Sequence, residues 1–272
     1  MSEPTPHESR HRLVDLTWPE ARDVFASDPI CLLPTGATEP HGPHLPLDVD
    51  VVISTAQAEA AARRLVAAGV PALVLPSLAY GVTFFTDGFE GRVSLRPGTL
   101  WALIDDVVAS LEEQGVRRIC MTNAHLEPEQ VRVLRGVVLD HAKITTNNAQ
   151  LVLADHLKRR WVPTLGEEFA SGECHAGDYE TSIVLAAEPD RVRRDLMAAL
   201  PSREVGLVAG IQSGAKSFRE LGADQAYCGD PAGASAEKGR EILSQLAEIT
   251  VATCRETWPE RFGAGSGEGA ES

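Results

Sequence analysis

Two short segments of this 272-residue chain hold histidine and acidic residues at spacings that suit metal binding. The first places Glu39, His41 and Asp50 in a loop that also holds three prolines and a glycine. The second places His125 and Glu127 two positions apart, so that in an extended segment both side chains point the same way. Imidazole and carboxylate ligands together suit Zn²⁺, Mn²⁺ or Fe²⁺. These five residues are enough to hold two divalent cations that share one bridging carboxylate.

A third segment, residues 175–182, leads into an apolar run and begins with His175. An imidazole whose neutral form is accessible near pH 7 can act as a general acid or base. Each segment also has a simpler interpretation. Glu180 could belong to helix-capping chemistry, Asp50 could be an N-cap, and Glu127 could be a first-turn residue favoured by the helix dipole.

Alternating strand and helix signals predict the elements that position these segments. The predicted strands cover residues 30–33, 71–75, 118–122 and 150–154, and the predicted helices cover residues 50–68, 99–114, 128–143 and 234–256. This alternation favours an α/β fold in which a mainly parallel sheet lies between two layers of helices, a three-layer α/β/α arrangement. Ligands of such sheets bind beyond the carboxyl ends of the strands. The first two polar segments and Thr83 each follow a predicted strand, so we expect them at one edge of the sheet.

Length and composition indicate one folded unit. Hydrophobic residues make up 43% of the chain and charged residues 24%, an ordinary balance for a globular protein. We predict a single domain over residues 11–261, since no linker-like segment interrupts the middle of the chain. The polar residues 1–10 and the Gly/Ser/Glu-rich residues 262–272 are predicted to be disordered tails, because neither can bury enough apolar surface to become ordered.

The acidic charge excludes two classes of partner. A formal net charge of −14 repels nucleic-acid phosphates and anionic membranes, so we expect neither as a partner. No window approaches the roughly 18 apolar residues of a membrane span, and the first residues lack the apolar stretch of a secretory signal. The five cysteines are odd in number and include no CxxC pair, which does not suit a disulfide framework. We therefore expect a cytoplasmic protein.

These motifs together resemble those of the creatininase family, the creatinine amidohydrolases and their relatives. The stretch Leu33–Pro46 followed by Asp50 closely resembles the opening signature of that family. The resemblance continues, in the family's order and with similar spacing, through residues 80–83, 91–95, 123–127 and 175–182. It covers roughly residues 25 to 195, and the combination is far more specific than any single motif. The resemblance implies a creatininase-like α/β fold and a metal-dependent hydrolase.

The resemblance also implies a role for each of the metal-binding candidates. By position, Glu39 and His125 resemble the ligands of one metal ion. His41 and Glu127 resemble the ligands of the other, and Asp50 resembles the bridging carboxylate. The implied cofactor is therefore two divalent ions per chain, Zn²⁺, Mn²⁺ or Fe²⁺.

Three further residues match catalytic and substrate-binding positions of the family. His175 resembles its proton-shuttling histidine, Glu180 the acidic residue that holds this histidine, and Thr83 a substrate-binding serine. The chain departs from the family's pattern at residues 84–86, 89–92 and 171–174, which flank the substrate position in true creatininases. The metal-binding residues are thus kept while the substrate pocket differs.

The resulting prediction is an amidohydrolase that cleaves the C–N bond of a small amide, cyclic amide or formamide with metal-activated water. The alternatives are a mycofactocin-type peptidase that acts on a modified peptide, a dinuclear phosphoesterase, and a non-catalytic metal-binding protein with the same fold. The phosphoesterase is disfavoured because Arg92 is the only evident cation beside the metal motifs. The resemblance further implies a homo-oligomer, by analogy with the hexamers of the family.

Overall fold

The computed structural model of the chain describes residues 11–143 and 149–263. The strands of this part are β1 (Ile30–Thr35), β2 (Ala72–Val74), β3 (Arg118–Asn123) and β4 (Gln150–Leu153). They form one parallel sheet in the order β2-β1-β3-β4. The helices are α1 (Trp18–Ala26), α2 (Val49–Ala67), α3 (Pro97–Glu113), α4 (Pro128–His141), α5 (Glu167–Ser171), α6 (Asp178–Ala187), α7 (Arg194–Ala199), α8 (Leu207–Gln212) and α9 (Ala236–Thr257).

Both faces of the sheet are covered by helices. Successive side chains of a strand point to opposite faces, and here both sets are apolar. Cys31 and Leu33 of β1 pack in one buried cluster with α3 and α4. Ile30 and Leu32 pack in another with α2 and α9. The predicted three-layer α/β/α fold is therefore confirmed.

The central pair of strands brings distant parts of the sequence to one edge of the sheet. β1 and β3 pair in parallel with Thr35 opposite Asn123, so both strands end at the same level. The hydroxyl of Thr35 reinforces this end by donating to the backbone carbonyl of Thr122 at 2.9 Å. The segments that follow β1 and β3, which contain the predicted metal ligands, must therefore leave the sheet side by side.

The two predicted tails lie wholly or partly outside the described residues. The tail at 1–10 and residues 264–272 of the tail at 262–272 fall there.

The last predicted helix is observed as α9, which begins at Ala236, and the Ser235 side chain accepts a hydrogen bond from the Lys238 N–H. Within the described part of the chain, no helix combines the length and apolar character needed to cross a bilayer.

Candidate dinuclear metal site

The loop between β1 and α2 folds back so that its acidic and imidazole side chains are buried together. Glu39, His41 and Asp50 are 3%, 0% and 1% exposed. Gly36 permits this arrangement, because a Cβ at that position would lie 2.8 Å from the Cβ of Asp50. The Glu39 N–H then donates to the carbonyl of Leu47 at 2.8 Å, which closes the loop.

A first group of ligand atoms comes from Glu39, Asp50 and His125. His125 Nδ1 lies 3.1 Å from Glu39 Oε1 and 3.1 Å from Asp50 Oδ2. All three side chains are buried, and their ligand atoms lie within 4.8 Å of one another. Two carboxylates and one imidazole that converge in this way form a set that suits Zn²⁺ or Mn²⁺.

A second group comes from His41, Asp50 and Glu180. His41 Nε2 lies 3.4 Å from Asp50 Oδ1 and 3.5 Å from Glu180 Oε2. Asp50 belongs to both groups, and each of its oxygens faces a different imidazole. A carboxylate placed in this way can bridge two cations, one in each group.

In the neutral form of both histidines, the inward nitrogen is the one that lacks a proton. His41 Nδ1 donates to the Glu39 carbonyl at 3.0 Å, and His125 Nε2 donates to the Val82 carbonyl at 2.8 Å. A carbonyl only accepts, so the proton of each neutral ring is on the outward nitrogen. In that form the inward nitrogens present lone pairs to carboxylate oxygens, and His41 Nε2 and Asp50 Oδ2 are buried without a hydrogen-bond partner among the described residues. Lone pairs that face one another in a buried site fit a cation between them.

The electrostatics of the two groups also favour a bound cation. Burial alone would lower the pKa of His41, but the carboxylates of Asp50 and Glu180 outweigh burial and raise that pKa to about 10. Burial also disfavours the charged form of His125, and Glu39 and Asp50 nevertheless raise its pKa. Burial raises the pKa of Glu180 to about 8. The carboxylates therefore favour positive charge at both places where a metal ion would be bound.

The second oxygen of Glu39 is held by two hydroxyl groups. Thr83 Oγ1 and Thr86 Oγ1 both donate to Glu39 Oε2, the latter at 3.2 Å, and the two hydroxyls lie 2.7 Å apart. Thr83 is fully buried and does not line the pocket described below. The Thr83 hydroxyl is thus engaged by the Glu39 carboxylate, and its predicted substrate-binding role stays a prediction.

Glu127 belongs to neither ligand group, and its carboxylate is bound by backbone N–H groups. Its oxygens accept hydrogen bonds from the backbone N–H groups of Phe84 at 2.7 and 2.8 Å and of Phe85 at 3.0 Å. The expectation that Glu127 and His125 face one site depended on an extended backbone, whereas β3 ends at Asn123 and Glu127 is the N-cap of α4. Glu127 lines the pocket, but Glu180 occupies the position beside His41 that the sequence had suggested for Glu127.

The carboxylate of Glu180 faces His41 and not His175. Glu180 lies in the first turn of α6, and its Oε2 accepts from the Ala176 N–H at 2.7 Å. Within the described residues, Glu180 makes no hydrogen bond or ion pair with His175. The start of the helix turns the Glu180 carboxylate toward the second group, and its predicted role in holding His175 stays a prediction.

His175 lies at the rim of the site. Its Nε2 donates to the Pro40 carbonyl at 3.0 Å, which leaves the Nδ1 lone pair facing Glu39 Oε1 at 4.0 Å. Its ring lies tilted against that of His41, with centroids 4.5 Å apart and an interplanar angle of 33°, and the two histidines form a third possible ligand group with Glu39. Burial and the neighbouring His41 lower the pKa of His175 to about 4, so the ring is neutral near pH 7.

The start of α6 is held by Glu168, a residue that the sequence analysis did not identify. One oxygen of Glu168 accepts from the Tyr179 N–H at 2.8 Å, and the other accepts from the N–H groups of Asp178 at 2.9 Å and Asp230 at 2.7 Å. Gly229 allows the chain to pass close to this carboxylate, since a Cβ there would collide with it. No local motif marks Glu168, because its partners lie on two segments distant in sequence.

A pocket opens above the two ligand groups. Polar residues of the ligand groups and their neighbours form its base, and apolar side chains form the remaining surface. The described residues that line it are Glu39, Asp50, Phe85, His125, Leu126, Glu127, Pro128, Cys174, His175, Glu180, Leu207, Ile211 and Phe218. Three of them, Leu207, Ile211 and Phe218, come from a part of the chain in which the sequence shows no functional motif.

Comparison with known proteins gives a consistent family. The family model of the creatininases, described as creatinine amidohydrolase, matches residues 14–254. The mycofactocin precursor peptide peptidase of Mycolicibacterium smegmatis is 30% identical over 246 residues, which cover 89% of this chain and 91% of that protein. The creatinine amidohydrolase of Pseudomonas putida is 31% identical over 273 residues, which cover 90% of this chain and 96% of that protein.

Solved structures share the fold over nearly their whole length. A creatininase described as its Mn form superposes with a TM-score of 0.69 at 27% identity, covering 92% of this chain and 99% of the other. A mutant creatininase of the Zn–Zn type gives a TM-score of 0.69 at 27% identity, covering 91% and 98%.

Proposed function

The chain belongs to the creatininase family of hydrolases, and on that premise we propose that it hydrolyses the C–N bond of a small amide with two divalent cations. The observation that carries the proposal is the position of Asp50. Its two oxygens lie 3.4 Å and 3.1 Å from the inward nitrogens of His41 and His125. A single buried carboxylate between the inward nitrogens of two imidazoles suits a dinuclear centre.

We assign the ligands from the two groups. Glu39, Asp50 and His125 would hold one ion, and His41, Asp50 and Glu180 would hold the other. When bound, the two cations would polarise the amide carbonyl and lower the pKa of an attacking water. The hydroxyls of Thr83 and Thr86 keep one oxygen of Glu39 occupied, so that its other oxygen stays directed at the site.

We assign to His175 the transfer of a proton from the attacking water to the leaving nitrogen. Its ring is fixed by the bond from Nε2 to the Pro40 carbonyl, and Nδ1 faces the pocket beside Glu39. Nδ1 can take up the proton that the attacking water loses and deliver it to the leaving nitrogen. This delivery matters because an amide anion is a poor leaving group unless it is protonated.

Elemental analysis and an activity screen test the proposal together. Protein reconstituted with Zn²⁺ or Mn²⁺ should hold close to two ions per chain and should hydrolyse members of a panel of cyclic amides, formamides and peptides. Chelation should abolish both properties, and return of the ions should restore them. Protein that takes up no ion, or that takes up two and cleaves no C–N bond, would contradict the proposal.

The variant His175→Ala separates proton transfer from metal binding. We expect both ions to remain bound while turnover of an amide falls by about 10²–10⁴-fold, the usual contribution of a general acid–base group. The loss should be smaller on an activated anilide, whose leaving group needs less protonation. An equal loss on both substrates would assign His175 to substrate orientation, and loss of an ion would make it a ligand.

A second candidate is hydrolysis of a peptide bond in a modified peptide. The name of the Mycolicibacterium smegmatis relative favours it, since that protein is described as a peptidase and is about as similar as the creatinine amidohydrolase. The same residues would serve both reactions, because a peptide bond is also an amide. Linear peptides that are cleaved with a higher kcat/KM than cyclic amides and formamides would select this candidate.

A further inference from the structure

The pocket above the ligand groups has an apolar wall that neither the metal centre nor proton transfer requires. We define the apolar wall as the five side chains of Phe85, Leu126, Leu207, Ile211 and Phe218, all of which line the pocket. They come from three segments that are far apart in the sequence. Their convergence on the one site where a substrate must lie points to a role in choosing that substrate.

Phe218 anchors the wall to the catalytic residues. Its ring stacks on His175 with centroids 4.3 Å apart and an interplanar angle of 23°. It also meets Phe85 edge-on, with centroids 5.0 Å apart at 86°. The Phe218 N–H donates to the Phe85 carbonyl at 2.9 Å, so the backbones of both residues are fixed as well. The apolar surface therefore begins directly beside the proposed proton-transfer group.

The helix α8 supplies the outer part of the wall. Leu207 and Ile211 are four positions apart, so they lie on the same face of this helix. The carboxylate of the buried Glu173 accepts the Val205 and Leu207 N–H groups at 2.9 and 2.7 Å, which fixes the start of the helix. Both α8 side chains remain partly exposed, so they keep apolar surface that a bound molecule can cover.

The charge around the pocket does not favour an ionic substituent. Among the described residues that line it, none is Lys or Arg. Glu127 is the one lining carboxylate outside the two ligand groups, and the Phe84 and Phe85 N–H groups already bind it. An anionic substituent would meet this carboxylate without a cationic partner. A charged group of either sign would also lose hydration against the apolar wall, which is costly without a partner.

We propose that the apolar wall selects amides that carry an uncharged aryl or branched-alkyl substituent next to the scissile bond. This inference rests on the proposed function, because it assumes that the amide lies at the metal centre. The wall then packs against the neighbouring substituent. A phenyl-sized group that covers roughly 100 Å² of apolar surface should tighten binding by about 10- to 100-fold at the usual energy per unit area.

Three hydroxamates provide probes whose binding does not depend on turnover. The metal-loaded protein would be titrated calorimetrically with acetohydroxamate, phenylacetohydroxamate and 4-carboxyphenylacetohydroxamate. The hydroxamate group binds the metal centre in each case, so the differences in Kd report the substituent alone. We expect phenylacetohydroxamate to bind about 10- to 100-fold more tightly than acetohydroxamate, and the carboxylated probe to lose most of that gain.

A variant of α8 assigns the gain to the wall. The double substitution Leu207→Ala and Ile211→Ala removes apolar surface but keeps the backbone N–H of residue 207. It should reduce the preference for phenylacetohydroxamate by at least about 3-fold and leave the Kd of acetohydroxamate unchanged. The matched control is Val208→Ala, since Val208 belongs to the same helix, is 46% exposed and does not line the pocket.

The possible outcomes separate this inference from the proposed function. Equal Kd values for acetohydroxamate and phenylacetohydroxamate would overturn the inference while leaving the metal centre supported. A preference that the double variant keeps, or that Val208→Ala also removes, would overturn the role of the wall. Failure of all three probes to bind metal-loaded protein would count against the proposed function and would remove the inference with it.

Discussion

The two ligand groups are built in different ways, although they share Asp50. The first takes Glu39 and His125 from the ends of β1 and β3, which the pairing of Thr35 with Asn123 holds side by side. The second takes Glu180 from α6, outside the sheet. One group is therefore positioned by backbone pairing in the core, and the other by the docking of a helix.

This difference predicts unequal sensitivity to changes in the surrounding structure. The first N–H groups of α6 donate hydrogen bonds to the carboxylate of Glu168, which also accepts from the Asp230 N–H. A change at this carboxylate should disturb the second group and leave the first in place. Conversely, the hydroxyls of Thr83 and Thr86 contact Glu39 and each other, so their loss should affect the first group. The affinities for the two ions can therefore be changed separately.

The largest effect is expected from Asp50→Asn, which should weaken both groups at once. The amide cannot replace a carboxylate that serves two cations, so affinity for both ions should fall by more than about 100-fold, beyond the cost of losing an outer-shell partner. Competition with a chromogenic chelator measures both affinities. Asp48→Asn is the control, because Asp48 pairs with Arg191 at the start of the same helix. Retention of one tightly bound ion would show that Asp50 does not bridge.

The second-largest effect is expected from the variant Glu180→Gln, which should lose one of the two ions. His41 would keep only Asp50 as a carboxylate neighbour in its group, so the protein should retain close to one ion per chain. The matched variant Glu127→Gln should retain two, because the Glu127 carboxylate binds backbone N–H groups. The reverse result, with one ion lost in Glu127→Gln and none in Glu180→Gln, would restore the ligand that the sequence suggested.

A smaller effect is expected from Glu168→Gln. The two oxygens of Glu168 accept hydrogen bonds from three backbone N–H groups. In the variant, the amide nitrogen would replace one of these acceptors, so that two donors would face each other. The displaced α6 should weaken the second ion by about 10- to 100-fold, the usual cost of an outer-shell change.

Cobalt titration followed by visible absorption distinguishes this selective effect from general destabilisation. The first equivalent of Co²⁺ should bind to the Glu168→Gln variant as tightly as to the unaltered protein, and the second more weakly. The control is Glu167→Gln, an exposed neighbour in the same helix. An equal loss of affinity for both equivalents would mean that Glu168 supports the whole fold and not one group.

The smallest effect is expected from Thr86→Val. The hydroxyl of Thr83 still donates to Glu39 Oε2, so affinity for the first ion should fall by roughly 10-fold, at the low end of the outer-shell range. Thr86→Ser keeps the hydroxyl and should restore the affinity. A fall in affinity for the second ion alone would contradict the assignment of Glu39 to the first group.

The sequence predicted the parts of the molecule that follow local rules. The apolar runs of β1 and β3 and the periodicity of the helices gave the α/β/α fold, since both depend on burial of neighbouring residues. Four of the predicted ligands, Glu39, His41, Asp50 and His125, lie close together because they follow parallel strands. This proximity required only that β1 and β3 pair in parallel.

The remaining site features depend on details that local patterns do not carry. Whether Glu127 or Glu180 faces His41 is decided by where α4 and α6 begin. Glu168 acts through backbone N–H groups, which any residue type except proline provides. The apolar side chains of α8 are indistinguishable in sequence from core residues. Long-range packing therefore decided the features that sequence analysis missed.

The pairing of β1 with β3 also sets the order of events during folding. Thr35 and Asn123 are 88 residues apart, and parallel pairing over such a separation is intrinsically slow. Before it forms, the chain offers Glu39, His41 and Asp50 in one loop but neither His125 nor Glu180. High-affinity metal capture must then follow closure of the sheet. Added Zn²⁺ or Mn²⁺ should raise the free energy of unfolding while leaving the refolding rate unchanged, so the ions slow unfolding and do not nucleate the fold.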